Sequence, residues 1–248
     1  YFRTGQFGEF TGVEGVPIRY VVFAPPTRVP VRKVILLVSG RTESMVKYIE
    51  LLHDLRDLRA DGVVIASMDH RGQGFSGREI DPHKGHVQTF EHYVEDFLRF
   101  AFLVRGWYDP DLPQVALAHS MGGPITLYAM AQAEALFDTT ILCSPMLEIE
   151  TSLPTWFDGP LCRAMAAWDV EAWGPLQHPY QPEPVLDSVL NNSHSRLTLV
   201  NDLYAQFPEI QLGGATWGWL NTSISATRKL FQPEVLDRLR PYSDTHHI

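Results

Sequence analysis

The chain has 248 residues, of which 45% are hydrophobic and 20% charged, a composition typical of a globular protein with a full core. Its 20 basic and 29 acidic residues give a formal net charge of −9, and because such a surface repels phosphate backbones the sequence predicts no nucleic-acid partner. No apolar run approaches the roughly 18 residues that a membrane span needs. The N-terminal segment lacks the features of a signal peptide, and Cys143 and Cys162 are interpreted as buried thiols, which favours a cytoplasmic location.

The first part of the chain alternates between strand-like and helix-like segments. Two strands around a Gly-containing turn come first, in GEFTGVEGVPIRYVVFAPP. Four more apolar strands are predicted in VRKVILLVSG, GVVIASMD, QVALAHS and DTTILCSP. Apolar residues at helical spacing lie between these four, over 45–58, 90–104 and 122–137. This alternation predicts a doubly wound, mostly parallel α/β sheet, with its site at the carboxyl ends of the strands.

The composition of the sequence and its strand–helix pattern change after Pro145. From about 147 to 224 the chain is rich in tryptophan, proline and polar residues, without strand–helix alternation. We interpret residues 147–224 as a largely helical cap inserted into a core formed by residues 1–146. Residues 225–248 are then predicted to return to the core, and the core is predicted to remain incomplete.

A serine between small residues ends the third buried strand, in AHSMG. A nucleophile on a sharp strand-to-helix turn adopts strained backbone angles, and the positions two before and two after it must be small. Ala118 and Gly122 meet this requirement, although glycine is usual at the first position. The following helix also directs its N-terminus at the serine, which favours a developing negative charge. The pattern predicts that Ser120 is a nucleophile; a serine that only caps a helix is the alternative.

Several motifs together resemble a known family. SGRTES, DHRGQGFSG, DPHKGHV and AHSMGG occur in the same order and at similar spacing in bacterial lysophospholipases, in the monoacylglycerol-lipase-like branch of the α/β-hydrolases. HSR and GGATWGWL, at 194–196 and 213–220, also resemble the cap of that branch, so the resemblance covers about residues 7–230. It implies an α/β-hydrolase fold with a helical cap, a bacterial source, and hydrolysis of a lysophospholipid or monoacylglycerol ester through an acyl-enzyme on Ser120. No cofactor is implied.

The resemblance also implies roles for residues near the serine. The N–H groups of Arg41 and Met121 would form the oxyanion hole. The Arg41 guanidinium could in addition bind the phosphate of a lysophospholipid, the alternative being a loop salt bridge with Glu43 or Asp69.

Two histidine-containing loops match the same family. The loop of Asp69, His70 and Arg71 is interpreted as structural, since a loop rich in glycine and charge needs internal hydrogen bonds. His83 and His86 have no carboxylate or cysteine at ligand spacing, so we predict no metal site there. His86 is interpreted instead as a residue of the substrate site.

The general base and the acid of the predicted triad are harder to place. In this fold the acid and then the histidine follow the nucleophile in the chain. The segment after Trp219 contains nothing like two buried strands, but the chain ends in HHI where the family has its catalytic histidine in HEI. His246 is therefore the candidate base, a solvated tail being the alternative. Asp244 is too near in sequence to serve as the acid, and no acid is assigned.

We therefore expect the C-terminal strands of the fold to be missing from this sequence. Three explanations are open: the segments exist in the protein but not in this sequence, the chain is truncated, or the protein is a hydrolase-fold binding protein without catalysis. The first two are favoured because a non-catalytic chain need not keep the serine turn. A thioesterase or an aminopeptidase is the alternative among serine hydrolases. A lipid substrate implies transient contact with a membrane surface through exposed apolar cap residues.

Overall fold

The computed structural model describes residues 1–151, 154–185 and 193–242. Its centre is a six-stranded sheet of order β1-β2-β4-β3-β5-β6. The strands are β1 (Gln6–Thr11), β2 (Pro17–Phe23), β3 (Lys33–Val38), β4 (Val63–Met68), β5 (Gln114–His119) and β6 (Thr139–Cys143). β1 and β2 are antiparallel to their neighbours and the other pairs are parallel. The predicted mostly parallel α/β sheet is confirmed.

Seven α-helices accompany these strands in the described part of the chain. They are α1 (Ile49–Asp54), α2 (Phe90–Arg105), α3 (Gly122–Gln132), α4 (Thr155–Trp168), α5 (His194–Gln206), α6 (Trp217–Leu230) and α7 (Pro233–Leu239). Short 3-10 turns at Met45–Tyr48 and Leu55–Asp61 flank α1. The helix predicted over 45–58 is thus divided into three pieces, and it ends at Gly62, whose φ is +85°.

The central strands β3 and β4 are largely buried on both faces because helices cover each side. In β3, alternate side chains point to opposite faces, as the geometry of a strand requires. Leu36 and its neighbours on that face pack with residues of α2 and α3. Leu37 points the other way and packs with Met45 and Leu52 near α1. Continuous apolarity in the strand sequence therefore reflects helices on both sides.

β6 is less buried than the sequence predicts. It is the last strand of the described sheet, and Ile141 and Cys143 on it are exposed. The expectation that Cys143 is a buried thiol is therefore wrong, whereas Cys162 is buried. Within the residues that the structure describes, no strand follows β6, and residues 217–239 consist of α6, α7 and a two-residue turn between them.

The predicted cap region contributes α4, α5 and most of α6, which crosses residue 224 without interruption. α4 packs against α6, and a bridge between Gly85 and Ala215 joins this region to a core loop. The domain boundaries themselves stay predictions. None of the described helices is long and apolar enough to cross a bilayer.

Candidate active site

Ser120 occupies the turn between β5 and α3. Its φ is +50°, in the left-handed region that a non-glycine residue rarely adopts. The Ser120 N–H donates to the Cys143 carbonyl (3.1 Å), and the Ser120 carbonyl accepts from the Met146 N–H (2.9 Å). The segment that follows β6 therefore holds the strained turn in place, and the serine stands at the carboxyl end of the strand.

Gly122 must lack a side chain because it approaches backbone carbonyl oxygens, and not because it approaches Ala118 as expected. A Cβ at this position would lie 2.5 Å from the Val38 carbonyl oxygen and 2.8 Å from that of Ser39. The close approach is thus between the start of α3 and the end of β3, not between Gly122 and Ala118. Ala118 is itself fully buried.

A loop after β3, residues 40–43, passes beside the serine, and we call it the oxyanion loop. A Cβ on Gly40 would lie 3.0 Å from the Ser120 Cβ. The backbone N–H groups of Arg41 and Met121 donate no hydrogen bond to any described residue. Two unbonded donors next to a strained serine are the arrangement that an oxyanion hole requires, and the predicted roles of both residues rest on this placement.

A buried carboxylate organises the oxyanion loop, and sequence reasoning missed it. Glu43 accepts hydrogen bonds from the Gly40 N–H (2.5 Å), the His119 ring (3.0 Å), the Lys47 ammonium (2.8 Å) and the Tyr48 hydroxyl. Burial favours the neutral acid, but the His119 hydrogen bond and the Lys47 charge outweigh it and lower the pKa of Glu43 to about 2. Glu43 therefore links the oxyanion loop to the residue that precedes the serine.

Arg41 lies between the core and the cap region. Its Nη2 donates to the Gly213 carbonyl (3.0 Å), and its guanidinium carbon lies 4.9 Å from the centre of the Trp219 ring. Its Nε is buried and has no hydrogen-bond partner among the described residues, and burial lowers the pKa of Arg41 to about 10. The salt bridge considered with Glu43 or Asp69 does not form, because backbone N–H groups and other side chains occupy those carboxylates.

The loop from Asp69 to Arg71 is fully buried and internally bonded. Asp69 accepts from the N–H groups of Met45 (2.6 Å) and Phe75 (2.7 Å). Burial nevertheless raises the pKa of Asp69 to about 6. Arg71 forms an ion pair with Asp96 of α2 (2.7 Å). These contacts support the structural interpretation of this loop.

His86 lies where the core loop meets α6. Its Nδ1 is 2.9 Å from the hydroxyl of Thr216, the residue that caps α6. Burial lowers the pKa of His86. This contact gives His86 a positioning role at the cap, and its contact with substrate stays a prediction.

The candidate base cannot be related to the serine. His246 and Asp244 lie outside the described residues. Among the residues that are described, none makes a hydrogen bond to the Ser120 hydroxyl. The structure thus brings together Ser120, Arg41 and Met121 but does not include His246.

Comparisons with known proteins give the context of this site. The family model described as serine aminopeptidase, S33, matches residues 29–235. Lysophospholipase L2 of Escherichia coli K12 is 34% identical over 239 residues, a match that covers 91% of this chain but 65% of the relative. A monoacylglycerol lipase of Mycolicibacterium smegmatis is 32% identical over 136 residues, 55% of this chain and 45% of the relative. The crystal structure of a carboxyl esterase from Bacillus coagulans superposes with a TM-score of 0.66 at 18% identity, covering 94% of this chain and 76% of that one.

Proposed function

Because the chain belongs to the serine aminopeptidase S33 family of the α/β-hydrolase superfamily, we propose that it is a serine hydrolase acting on the carboxylic ester of a lysophospholipid or a monoacylglycerol. One observation carries the proposal: Ser120 has a φ of +50° on its turn, beside two backbone N–H groups that have no partner in the described part of the chain. The names of the relatives support a lipid ester as the substrate.

The proposed reaction proceeds through an acyl-enzyme. The Ser120 oxygen attacks the ester carbonyl carbon while a base takes the hydroxyl proton. The N–H groups of Arg41 and Met121 bind the resulting oxyanion, each contributing about 3–4 kcal/mol to the stability of the transition state. The alcohol leaves with the proton returned by the base, and water then releases the fatty acid. His246 is the proposed base, and the acid is unassigned.

The proposal is tested by labelling with a fluorophosphonate, followed by intact mass and peptide mapping. We expect one adduct on the 28.1-kDa chain, located on Ser120 and absent from Ser120→Ala. The same sample should release fatty acid from a lysophospholipid or a monoacylglycerol. A folded wild-type chain that neither reacts nor hydrolyses would instead be a hydrolase-fold binding protein.

A second candidate activity is amide hydrolysis, which the aminopeptidase description of the family favours. An acyl-chain series of esters, a thioester and an aminoacyl amide separates these possibilities when all are measured with one preparation. We expect kcat/KM to be highest for the esters. A preference for the amide would identify an aminopeptidase, and a preference for the thioester a thioesterase.

The proposed substrate includes the lysophospholipid headgroup, with Arg41 as its phosphate ligand. No carboxylate neutralises this buried guanidinium in the described structure, and its Nε has a hydrogen atom to donate. We expect Arg41→Ala to lower turnover of a lysophospholipid more than that of a neutral monoacylglycerol. Equal losses on both substrates would contradict the phosphate role.

Contact with a lipid surface is also proposed, through the outer face of the cap. Trp156 and Trp168, at the two ends of α4, are 77% and 79% exposed. Tryptophan side chains gain free energy at the boundary between water and lipid. A cap that contacts the bilayer in this way would receive a single-chain lipid without any spanning helix.

A further inference from the structure

The two ends of the oxyanion loop are fixed by a hydrogen bond between them and by a side chain of the core. The Gly40 N–H donates to the Glu43 carboxylate (2.5 Å). The side-chain amide of Gln73 donates to the carbonyls of Gly40 (2.7 Å) and Glu43 (2.9 Å). Among the described residues, none of the core makes a comparable hydrogen bond to the two peptide groups between these ends, Arg41–Thr42 and Thr42–Glu43.

The middle of the loop is held from the cap region instead. The hydroxyl of Tyr204, on α5, donates to the Thr42 carbonyl (2.7 Å). The Tyr204 ring is 6% exposed and packs with Val46 and Ile210, and it stacks on Tyr180 with the ring centres 5.7 Å apart. The hydroxyl is therefore presented to the loop by a packed side chain with little freedom to move.

The residue that Tyr204 holds is strained. Thr42 has a φ of +59°, in the left-handed region that is unfavourable for a β-branched residue. Such a conformation persists only where the surroundings impose it. The Arg41 N–H, one of the two proposed oxyanion donors, belongs to the Gly40–Arg41 peptide group, whose carbonyl Gln73 holds. Relaxation of Thr42 would turn the next two peptide groups of the loop and pull against that contact.

We propose that Tyr204 is a positioning residue that couples the cap to the oxyanion hole. By holding the Thr42 carbonyl, it keeps the loop in the conformation that presents the Arg41 N–H beside Ser120. The Arg41 side chain strengthens the coupling, since it reaches the Gly213 carbonyl and the Trp219 ring from the same loop. The oxyanion hole is then complete only when α5 is seated on the core, and an enzyme with a displaced cap binds an ester but hydrolyses it slowly. This inference rests on the proposed function of Ser120.

The test is Tyr204→Phe, which removes one oxygen atom and keeps the packed ring. The matched control is Tyr180→Phe in the stacked neighbour, whose hydroxyl makes no hydrogen bond with a described residue. With active sites counted by fluorophosphonate titration, we expect Tyr204→Phe to lower kcat about 10-fold, the effect of an oxyanion hydrogen bond that is weakened rather than abolished, with KM changed less than about 2-fold. Tyr180→Phe should leave both constants within about 2-fold of wild type.

A second measurement, hydrogen exchange of a peptide spanning the oxyanion loop, does not depend on turnover. Exchange should become faster in Tyr204→Phe and stay at the wild-type rate in Tyr180→Phe. Unchanged exchange, or an unchanged kcat in an active enzyme, would overturn the coupling. A folded wild-type chain that hydrolyses no ester would refute the proposed function, and the exchange rates would still decide whether Tyr204 holds the loop.

Discussion

Around Ser120, the backbone geometry depends on contacts of single atoms. Ser120 keeps its left-handed backbone because hydrogen bonds at its N–H and carbonyl oppose relaxation, and α3 begins directly against two carbonyl oxygens at the end of β3. The buried carboxylate of Glu43 then fixes the neighbouring loop. Substitutions of one carbon or one charge at these positions should therefore have large effects.

The first prediction concerns Gly122. Gly122→Ala should lower the free energy of unfolding by about 2–3 kcal/mol and slow fluorophosphonate labelling, because the added Cβ meets a carbonyl oxygen at 2.5 Å. The control is Gly106→Ala at the end of α2, where the nearest atom is 3.4 Å away and φ is −68°. Urea unfolding of both variants checks the prediction. Equal stabilities of the two variants would show that the turn between β5 and α3 tolerates the methyl group.

The second prediction concerns the charge of Glu43. Its pKa falls from 4.5 to about 2 on folding, so ionisation stabilises the native state above pH 4.5 and the benefit is lost as the pH falls toward 2. Glu43→Gln should lower the free energy of unfolding by about 2 kcal/mol at pH 7. The difference in free energy of unfolding between this variant and wild type should shrink as the pH falls from 4.5 to 2.

Urea unfolding at several pH values measures this difference. The control is Glu95→Gln in the exposed Glu95–Arg99 pair, for which we expect a change below about 0.5 kcal/mol. A Glu43→Gln effect that is independent of pH would show that the carboxylate charge adds nothing.

At the scale of elements, buried polar contacts join segments that are far apart in sequence. Arg71, in the loop after β4, is fully buried and pairs with Asp96 of α2. The same guanidinium donates to the Val13 carbonyl (2.9 Å), while the Val13 N–H donates to Asp96 (2.8 Å). One ion pair thus connects the β1–β2 turn, the loop after β4 and helix α2.

The third prediction follows from that ion pair. Arg71→Met should lower the free energy of unfolding by about 3–5 kcal/mol, because it leaves the Asp96 carboxylate buried without its cation. Arg99→Met, which removes an exposed cation from α2, should lower the free energy of unfolding by less than about 1 kcal/mol. Urea unfolding of the two variants makes the comparison, and similar losses would mean that burial of the pair is unimportant.

At the scale of the whole molecule, net charge and exposed apolar side chains decide how the protein contacts a lipid surface. The chain carries a formal net charge of −9, so attraction to anionic lipid is not expected to drive contact with a membrane. The exposed tryptophans of α4 offer an apolar contribution instead.

The fourth prediction tests that surface. Trp156→Ser together with Trp168→Ser should weaken binding to neutral phosphatidylcholine vesicles about 10-fold and leave fluorophosphonate labelling of Ser120 unchanged. Phe102→Ser, which alters an exposed ring on α2, is the control and should bind as wild type does. Vesicle co-sedimentation measures both, and equal binding of all three proteins would remove α4 from the lipid contact.

By itself, the sequence determined the order of strands and helices and the sharp turn at Ser120, whereas the oxyanion roles of Arg41 and Met121 followed from the family resemblance and stay predictions. These features are local: apolar periodicity shows how a segment is buried, and small residues around Ser120 show that the chain turns sharply. The tertiary structure alone decided that the helix predicted over 45–58 is divided into α1 and two 3-10 turns, that Cys143 is exposed, and that Glu43 bonds to His119.

The tertiary structure likewise decided the contact between Tyr204 and the Thr42 carbonyl. Nothing near Tyr204 in the sequence suggests it, because the two residues meet only where α5 packs on the core. Contacts of this kind depend on how distant segments fold against each other, and no periodicity or local motif records that packing.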